Sequence, residues 1–286
     1  MTIEDAIRRA KILGQARLQK QQAEEAVRQP TTERPTVARP AREPGMRFEP
    51  LKKVEISATA CEQNRVLLSD TQLREFPAAD AAYRLLRSRL ANRVKRNNWF
   101  SLAIASPSQA DGKSITAANL AVSVAREKQK PVYLLDLDMR NPSICRFFGI
   151  RDIRPLPDYF LGHAKSDDVL FETIFPNLYV AGALAPTDSA SELLAGPRFT
   201  ELLSHIRLRS PDAVVIVDLP PVNVTDEALL VGPRVDAFLV VVTEGKTERV
   251  QLAQTLSALS EFTVAGVVVN QSSESHTVGY EHYSVA

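Results

Sequence analysis

The sequence predicts an α/β fold: a parallel sheet with helices on both faces, preceded by an N-terminal helix and a proline-rich linker. Two observations carry this. From Trp99 onward, near-continuous apolar, β-branched runs alternate with helical patterns, which is how strands buried on both faces read. Acidic, basic and small polar residues gather directly after those runs, where an open parallel sheet places its ligands. With 286 residues, 44% of them hydrophobic, the chain suffices for one large α/β domain plus an extension, or for two small domains.

Each element follows from a local pattern. In residues 1–29, Ile3, Ala6, Ile7, Ala10 and Leu13 recur at helical spacing with charges between them, an amphipathic helix. Residues 30–50 hold Pro30, Pro35, Pro40, Pro44 and Pro50 among Thr, Arg and Glu; they bury little and read as a linker. The region 51–98 is composite. Its first part, to about residue 79, gives no clear pattern, whereas 79–96 sets Tyr83, Leu86, Leu90 and Val94 on one helical face. The same helix carries Arg84, Arg87, Arg89, Arg93, Lys95 and Arg96, which form a solvated basic face or a docking surface for an acidic partner or a neighbouring subunit.

The main domain spans 99–271. Strands are expected at 100–105, 131–135, 213–217, 237–242 and 264–269, with a weaker one at 178–182. Helices are expected at 113–127, 189–208 and 247–261. Residues 272–286 form a polar tail that contains Tyr280 and Tyr283.

Composition removes several functions. A formal net charge of +1 argues against a nucleic-acid or membrane-surface binder that relies on bulk charge. Cys61 and Cys145 match no metal spacing and read as free thiols in a reducing compartment. Met1-Thr2-Ile3-Glu4-Asp5 carries acid where a secretion signal carries base, and no run reaches the ~18 apolar residues of a membrane span. A cytoplasmic protein is expected.

The chemistry-bearing residues sit after the strands. Behind the first comes Ser106-Pro107-Ser108-Gln109-Ala110-Asp111-Gly112-Lys113-Ser114, with glycine, lysine and serine at the start of a helix. Backbone N–H groups of 109–114 in such a place can cradle phosphate oxygens. Lys113 would neutralise the terminal phosphates, and the Ser114 hydroxyl would complete the shell of Mg²⁺. The second strand runs into Asp136-Leu137-Asp138-Met139-Arg140-Asn141-Pro142, and the Val214–Val217 strand into Asp218-Leu219-Pro220-Pro221; the last ends at Asn270. One of Asp136 and Asp138 could hold the metal while the other orients or deprotonates an attacking hydroxyl. Asp218 sits where a further metal carboxylate is expected. The first glycine of the strict G-x-x-x-x-G-K-[ST] pattern is replaced by Pro107. Alanine at 110 binds phosphate without strain if its φ is negative, and is strained there if φ is positive.

These residues resemble the bacterial tyrosine kinases of polysaccharide synthesis, autokinases related to ParA/MinD-type P-loop ATPases. The likeness covers about residues 79–271. The family loop S-P-x-P-G-E-G-K-S corresponds to Ser106–Ser114, with Gln109-Ala110 in place of Pro-Gly. L-x-D-x-D-x-R-x-P corresponds to Leu134–Pro142, and I-x-D-x-P-P to Ile216–Pro221, followed by Thr225-Asp226. Ala81–Ser88 is similar to the E-x-Y-R-x-x-R-[ST] helix of ring-forming members, with Ala81 at the position of Glu, and Ser191-Glu192-Leu193-Leu194 to P-x-E-L-L.

The resemblance implies an ATP-dependent protein-tyrosine autokinase that controls synthesis, chain length or export of a surface polysaccharide. It implies ATP on Gln109, Ala110, Asp111, Gly112, Lys113, Ser114 and Ile115 with Asn270 nearby, and Mg²⁺ on Ser114, Asp138 and Asp218. Lys113, Asp136 and Asp138 are the catalytic residues, with Asp136 polarising the acceptor hydroxyl, and Tyr280 and Tyr283 are the phosphoacceptors. It further implies homo-oligomers through the 79–96 helix and a membrane-bound polysaccharide co-polymerase as partner, which would hold the chain at the inner face of the membrane; no nucleic acid is implied. Two alternatives stay open. One is a ParA/MinD-like ATPase acting by nucleotide-switched dimerisation, although such proteins usually carry a lysine where this chain has Ser108. The other is a catalytically weak nucleotide-binding assembly regulator, which Gln109-Ala110 would suit.

Overall fold

The computed structural model describes residues 48–272. The expected N-terminal helix, most of the proline-rich linker and the two tail tyrosines lie outside the described residues. Eight strands form one sheet: β1 (Lys53–Val54), β2 (Ser101–Ala105), β3 (Val132–Asp136), β4 (Phe171–Thr173), β5 (Leu178–Ala181), β6 (Val214–Asp218), β7 (Ala237–Thr243) and β8 (Val264–Asn270). Their order across the sheet is β1-β4-β5-β3-β6-β2-β7-β8. All neighbours run parallel except β4 and β5.

The apolar runs become strands because both faces are covered, except at the edge strand β8, where Val267 and Val269 are exposed. Successive residues alternate between two cores. Tyr133, Leu135, Val215, Val217, Phe238 and Val240 face Phe199, Leu202 and Ile206 of the helix Arg198–Arg209. Leu134, Ile104, Ile216, Leu239 and Val241 share the other core with Leu120 and Val122 of the helix Lys113–Ala125. Ser101 is polar and buried, yet satisfied: Asp236 accepts from its amide at 2.8 Å, its hydroxyl at 3.0 Å and the Phe100 amide at 2.7 Å. This ties the start of β2 to the start of β7.

The unpatterned part of 51–98 holds β1, α1 (Ala58–Gln63) and α2 (Asp70–Glu75), then the basic helix α3 (Pro77–Asn97). Short pieces with strong caps explain why no periodicity shows. Ser57 caps α1 through its hydroxyl, Ser69 and Gln72 form a reciprocal capping box on α2, and Pro77 opens α3. Val54, Cys61, Val66 and Leu90 enter the same core as the Lys113–Ala125 helix. On that helix, buried Asn119 accepts from the Leu67 amide at 2.7 Å and donates to the Arg65 carbonyl at 3.0 Å.

On α3, Arg84, Arg89, Arg93, Lys95 and Arg96 are exposed. Arg87 is different: it pairs with Glu127 at 2.8 Å and donates to the Ser123 carbonyl at 2.8 Å, pinning α3 onto its neighbour.

The helix expected over 189–208 is two, Ala190–Ala195 and Arg198–Arg209. Pro197 lacks an N–H and disfavours helical geometry at Gly196, which is extended with φ −74° and ψ 176°. Among the described residues, no helix is long and apolar enough to cross a membrane.

Candidate functional site

Strands β3, β6 and β2 are adjacent, and their carboxyl ends bring the quoted motifs together. The register pairs Asp136 with Asp218 and Ile104 with Asp218, so one carboxylate-bearing layer lies beside the Ser106–Gly112 loop. Lys113, the first residue of its helix, points into this layer and is buried. Its Nζ lies 2.5 Å from Asp138 Oδ2, 3.7 Å from Asp218 Oδ1 and 3.0 Å from Ser114 Oγ. Burial works to lower the Lys113 pKa, but Asp218 and Asp138 outweigh it and hold the ammonium charged.

The three carboxylates differ in environment. Asp138 Oδ1 accepts the Asn141 amide while Oδ2 takes Lys113. Asp136 is fully buried; its Oδ2 accepts the amides of Ser143 and Ile144, both at 2.9 Å, and Oδ1 accepts that of Asp138 at 3.2 Å. Burial and the charge of Asp218 push Asp136 up to about 7, against the two amides. Asp218 is pushed up to about 6, by burial, with Lys113 offsetting part. Neither Asp218 oxygen has a hydrogen-bond partner among the described residues.

Lys113, 3.7 Å away, offsets the Asp218 charge only in part, and a buried carboxylate without hydrogen bonds gains from a further cation. The donor set therefore fits a divalent ion. No cluster of three or more His, Cys, Asp or Glu among the described residues could hold a metal alone. Mg²⁺ suits this, because it is usually held by one or two carboxylates together with substrate phosphates and water; Asp218, Asp138 and the Ser114 hydroxyl are placed to contribute.

The loop fits phosphate on a separate observation. Amides of residues 109–115 meet no acceptor among the described residues. Ala110 has φ 60° and Gly112 φ 89°, both left-handed, on either side of Asp111. Alternating turns of this kind aim successive N–H groups to one side. The condition set by Ala110 is thus decided: φ is positive, and alanine is strained by roughly 1 kcal/mol or more relative to glycine.

Not every expected site residue faces the ligand side. Asp111 is a brace: its carboxylate accepts from the Ser108 amide at 2.8 Å and the Thr247 hydroxyl at 3.1 Å. Asn270 donates to the Asp111 carbonyl at 3.2 Å and packs behind Gly112. The Ile115 side chain packs against the core and leaves its amide at the loop.

Residues beyond the quoted loop motif also emerge. Thr243, the last residue of β7, and Thr247, just beyond it, hold the carbonyl and the carboxylate of Asp111 respectively. Applying the strand-end rule to β7 as well would have found them. Arg140 donates to Glu227 at 2.7 Å and to Ser191 at 3.2 Å, and Ser191 donates to Asp226 at 2.7 Å. Three separately quoted motifs therefore meet in one network. Glu227, although desolvated, is held below the usual carboxylate range by the Thr225 hydroxyl and Arg140.

Comparisons with known proteins bear on the family and the fold. Residues 100–283 match a ParA family described as NUBPL iron-transfer P-loop NTPase. Tyrosine-protein kinase CpsD of Streptococcus agalactiae serotype Ia is 29% identical over 216 residues, covering 74% of this chain and 90% of that protein. The kinase domain of the Escherichia coli tyrosine kinase Etk superposes with a TM-score of 0.65 at 22% identity, covering 80% of this chain and 94% of that one. The septum site-determining protein MinD complexed with Mg-ADP, from Pyrococcus horikoshii, gives a TM-score of 0.50 at 19% identity, covering 59% and 69%; both structures share the fold. The chain belongs to the ParA family of P-loop NTPases, and its curated relatives set it among that family's bacterial tyrosine kinases.

Proposed function

We propose that the protein is an ATP-dependent protein-tyrosine autokinase that regulates capsular or exopolysaccharide synthesis. The observation that carries this reading is the meeting of Lys113, Asp138 and a buried Asp218, ion-paired to Lys113 but without a hydrogen bond, beside a loop of free amides. The names of the relatives support tyrosine as the acceptor.

In this reading the amides of 109–115 bind the phosphates of ATP, and Lys113 leaves Asp138 to neutralise the transferred phosphoryl group. Ser114, Asp138 and Asp218 would hold Mg²⁺, which would offset charge on the phosphate oxygens. Asp136 keeps one acceptor lone pair on Oδ1 and takes the proton of the attacking tyrosine hydroxyl. The bond between the γ-phosphorus and its bridging oxygen breaks, a new one forms to the tyrosine oxygen, and ADP leaves. Tyr280 and Tyr283 of a neighbouring copy are the acceptors. Contact between copies runs through the 79–96 helix, and the cytoplasmic segment of a membrane-bound co-polymerase is the activating partner.

The test is phosphotyrosine formation by purified full-length protein with Mg²⁺-ATP, with and without membranes containing its co-polymerase. Wild type gains phosphotyrosine; Lys113→Met and the Tyr280→Phe/Tyr283→Phe double variant do not. Phosphotyrosine persisting in the double variant refutes the tail as acceptor. Hydrolysis without phosphotyrosine under both conditions, with nucleotide-dependent dimers, replaces this reading by a switch ATPase.

A further inference from the structure

We propose that Lys246 is a positioning residue for the phosphate loop: its ammonium holds the carbonyls of Gln109 and Ala110 outward and keeps Ala110 in a left-handed conformation that alanine by itself resists. The inference rests on the nucleotide reading above and adds a residue that none of the sequence motifs contains.

Ala110, at φ 60°, occupies a place where the resembled loop carries glycine. Glycine adopts that conformation freely, whereas a Cβ disfavours it. Something else in this chain must favour the turn. Three consecutive carbonyls of the loop are held from one side. Lys246 Nζ donates to Gln109 at 3.2 Å and to Ala110 at 3.3 Å, while Thr243 and Asn270 donate to Asp111 at 3.1 and 3.2 Å.

All these donors come from the ends of β7 and β8 or the turn after β7. That turn is itself ordered: Gly245 has φ 70°, and the Thr247 hydroxyl accepts the Thr243 amide at 2.8 Å while bonding the Asp111 carboxylate. Drawing carbonyls outward leaves the amides of the same peptide units free for an anion. An ammonium is suited to this, since one group donates to two carbonyls and strengthens both bonds by its charge. Lys246 is exposed, so the effect is modest and reaches the nucleotide only through the loop.

The experiment is a cycle of Lys246→Met, Lys246→Arg, Ala110→Gly and the Ala110→Gly/Lys246→Met pair, read by calorimetric titration with Mg-ADP. Lys246→Met weakens binding about fivefold, the scale of one net hydrogen bond. Lys246→Arg restores most of it, and in the Ala110→Gly background the loss falls below about twofold, because glycine no longer needs the latch. An equal loss in both backgrounds means that Lys246 meets the nucleotide directly and overturns the proposal, as does no loss in either.

Urea unfolding without nucleotide gives a second reading. The unfolding constant rises about fivefold for Lys246→Met but less than about twofold in the Ala110→Gly background. Absence of that coupling overturns the latch even if the wild type binds no Mg-ADP, an outcome that would instead remove the nucleotide reading.

Discussion

Gly112→Ala is the most informative single change in the loop. A Cβ built on Gly112 would lie 1.9 Å from Asn270 Nδ2 and 3.0 Å from Asn270 Cγ, and the residue has φ +89°. Two separate penalties follow. The left-handed backbone costs a side-chain-bearing residue roughly 1–2 kcal/mol. The clash is relieved only if Asn270 swings away, which breaks its 3.2 Å bond to the Asp111 carbonyl. Losing that bond costs about 0.5–1.5 kcal/mol. Together the variant should be about 2–3 kcal/mol less stable, lowering Tm by roughly 5–10 °C for a body of this size. Urea and thermal unfolding measure it directly. Adding Asn270→Gly removes the clash but not the backbone strain, so the Gly112→Ala cost should drop to about 1–2 kcal/mol in that background. A Gly112→Ala protein within about 0.5 kcal/mol of wild type would falsify the reasoning, as a surface-like response is incompatible with either penalty.

Three further outcomes follow, two from the same site and one from the contact that pins α3. Asp136 and Asp218 have folded-state pKa values above those of unfolded aspartate, so the folded state binds more protons and apoprotein stability falls as pH rises from about 4 to about 7. Asp218→Asn should flatten that fall and leave the apoprotein at pH 8 at least as stable as wild type, which urea titrations across pH will check. Lys113→Met strands Asp138 and Asp218 without their cation; it should destabilise at pH 8, with the deficit shrinking towards pH 5 as Asp218 takes up a proton, and a pH-independent deficit contradicts this. Arg87→Ala removes the Glu127 pair and the bond to the Ser123 carbonyl, costing about 1–2 kcal/mol by urea unfolding. Arg87→Lys should recover only part, since one ammonium cannot reproduce the guanidinium fork.

The sheet and its ligand end were legible from one-dimensional pattern because both are local. A strand buried on two faces must be apolar throughout, and residues just past its end must open onto the site. Ala103-Ile104-Ala105, Leu134-Leu135-Asp136 and Ile216-Val217-Asp218 state this by themselves, and Gly112-Lys113-Ser114 names the phosphate loop. The break at Gly196-Pro197 was missed by the single helix expected over 189–208, although it is equally local: proline's missing N–H and its constraint on the preceding residue are written in the sequence.

Other features depended on contacts between distant segments. The pieces β1, α1 and α2 are too short for a period to register; β1 and α1 gain order by entering a core shared with residues more than fifty positions away, and α2 is tied in by buried Gln72, which donates to the Val66 carbonyl at 2.7 Å. Asp136, Asp138 and Asp218 look alike in the chain, yet tertiary neighbours make them different: one surrounded by amides, one hydrogen-bonded to Lys113, one only ion-paired to it at 3.7 Å and without a hydrogen bond. The sign of φ at Ala110 was likewise decided only in the fold. A single residue's intrinsic preference there is roughly 1–2 kcal/mol, small enough for Lys246, Thr243 and Asn270, approaching from other strands, to override it.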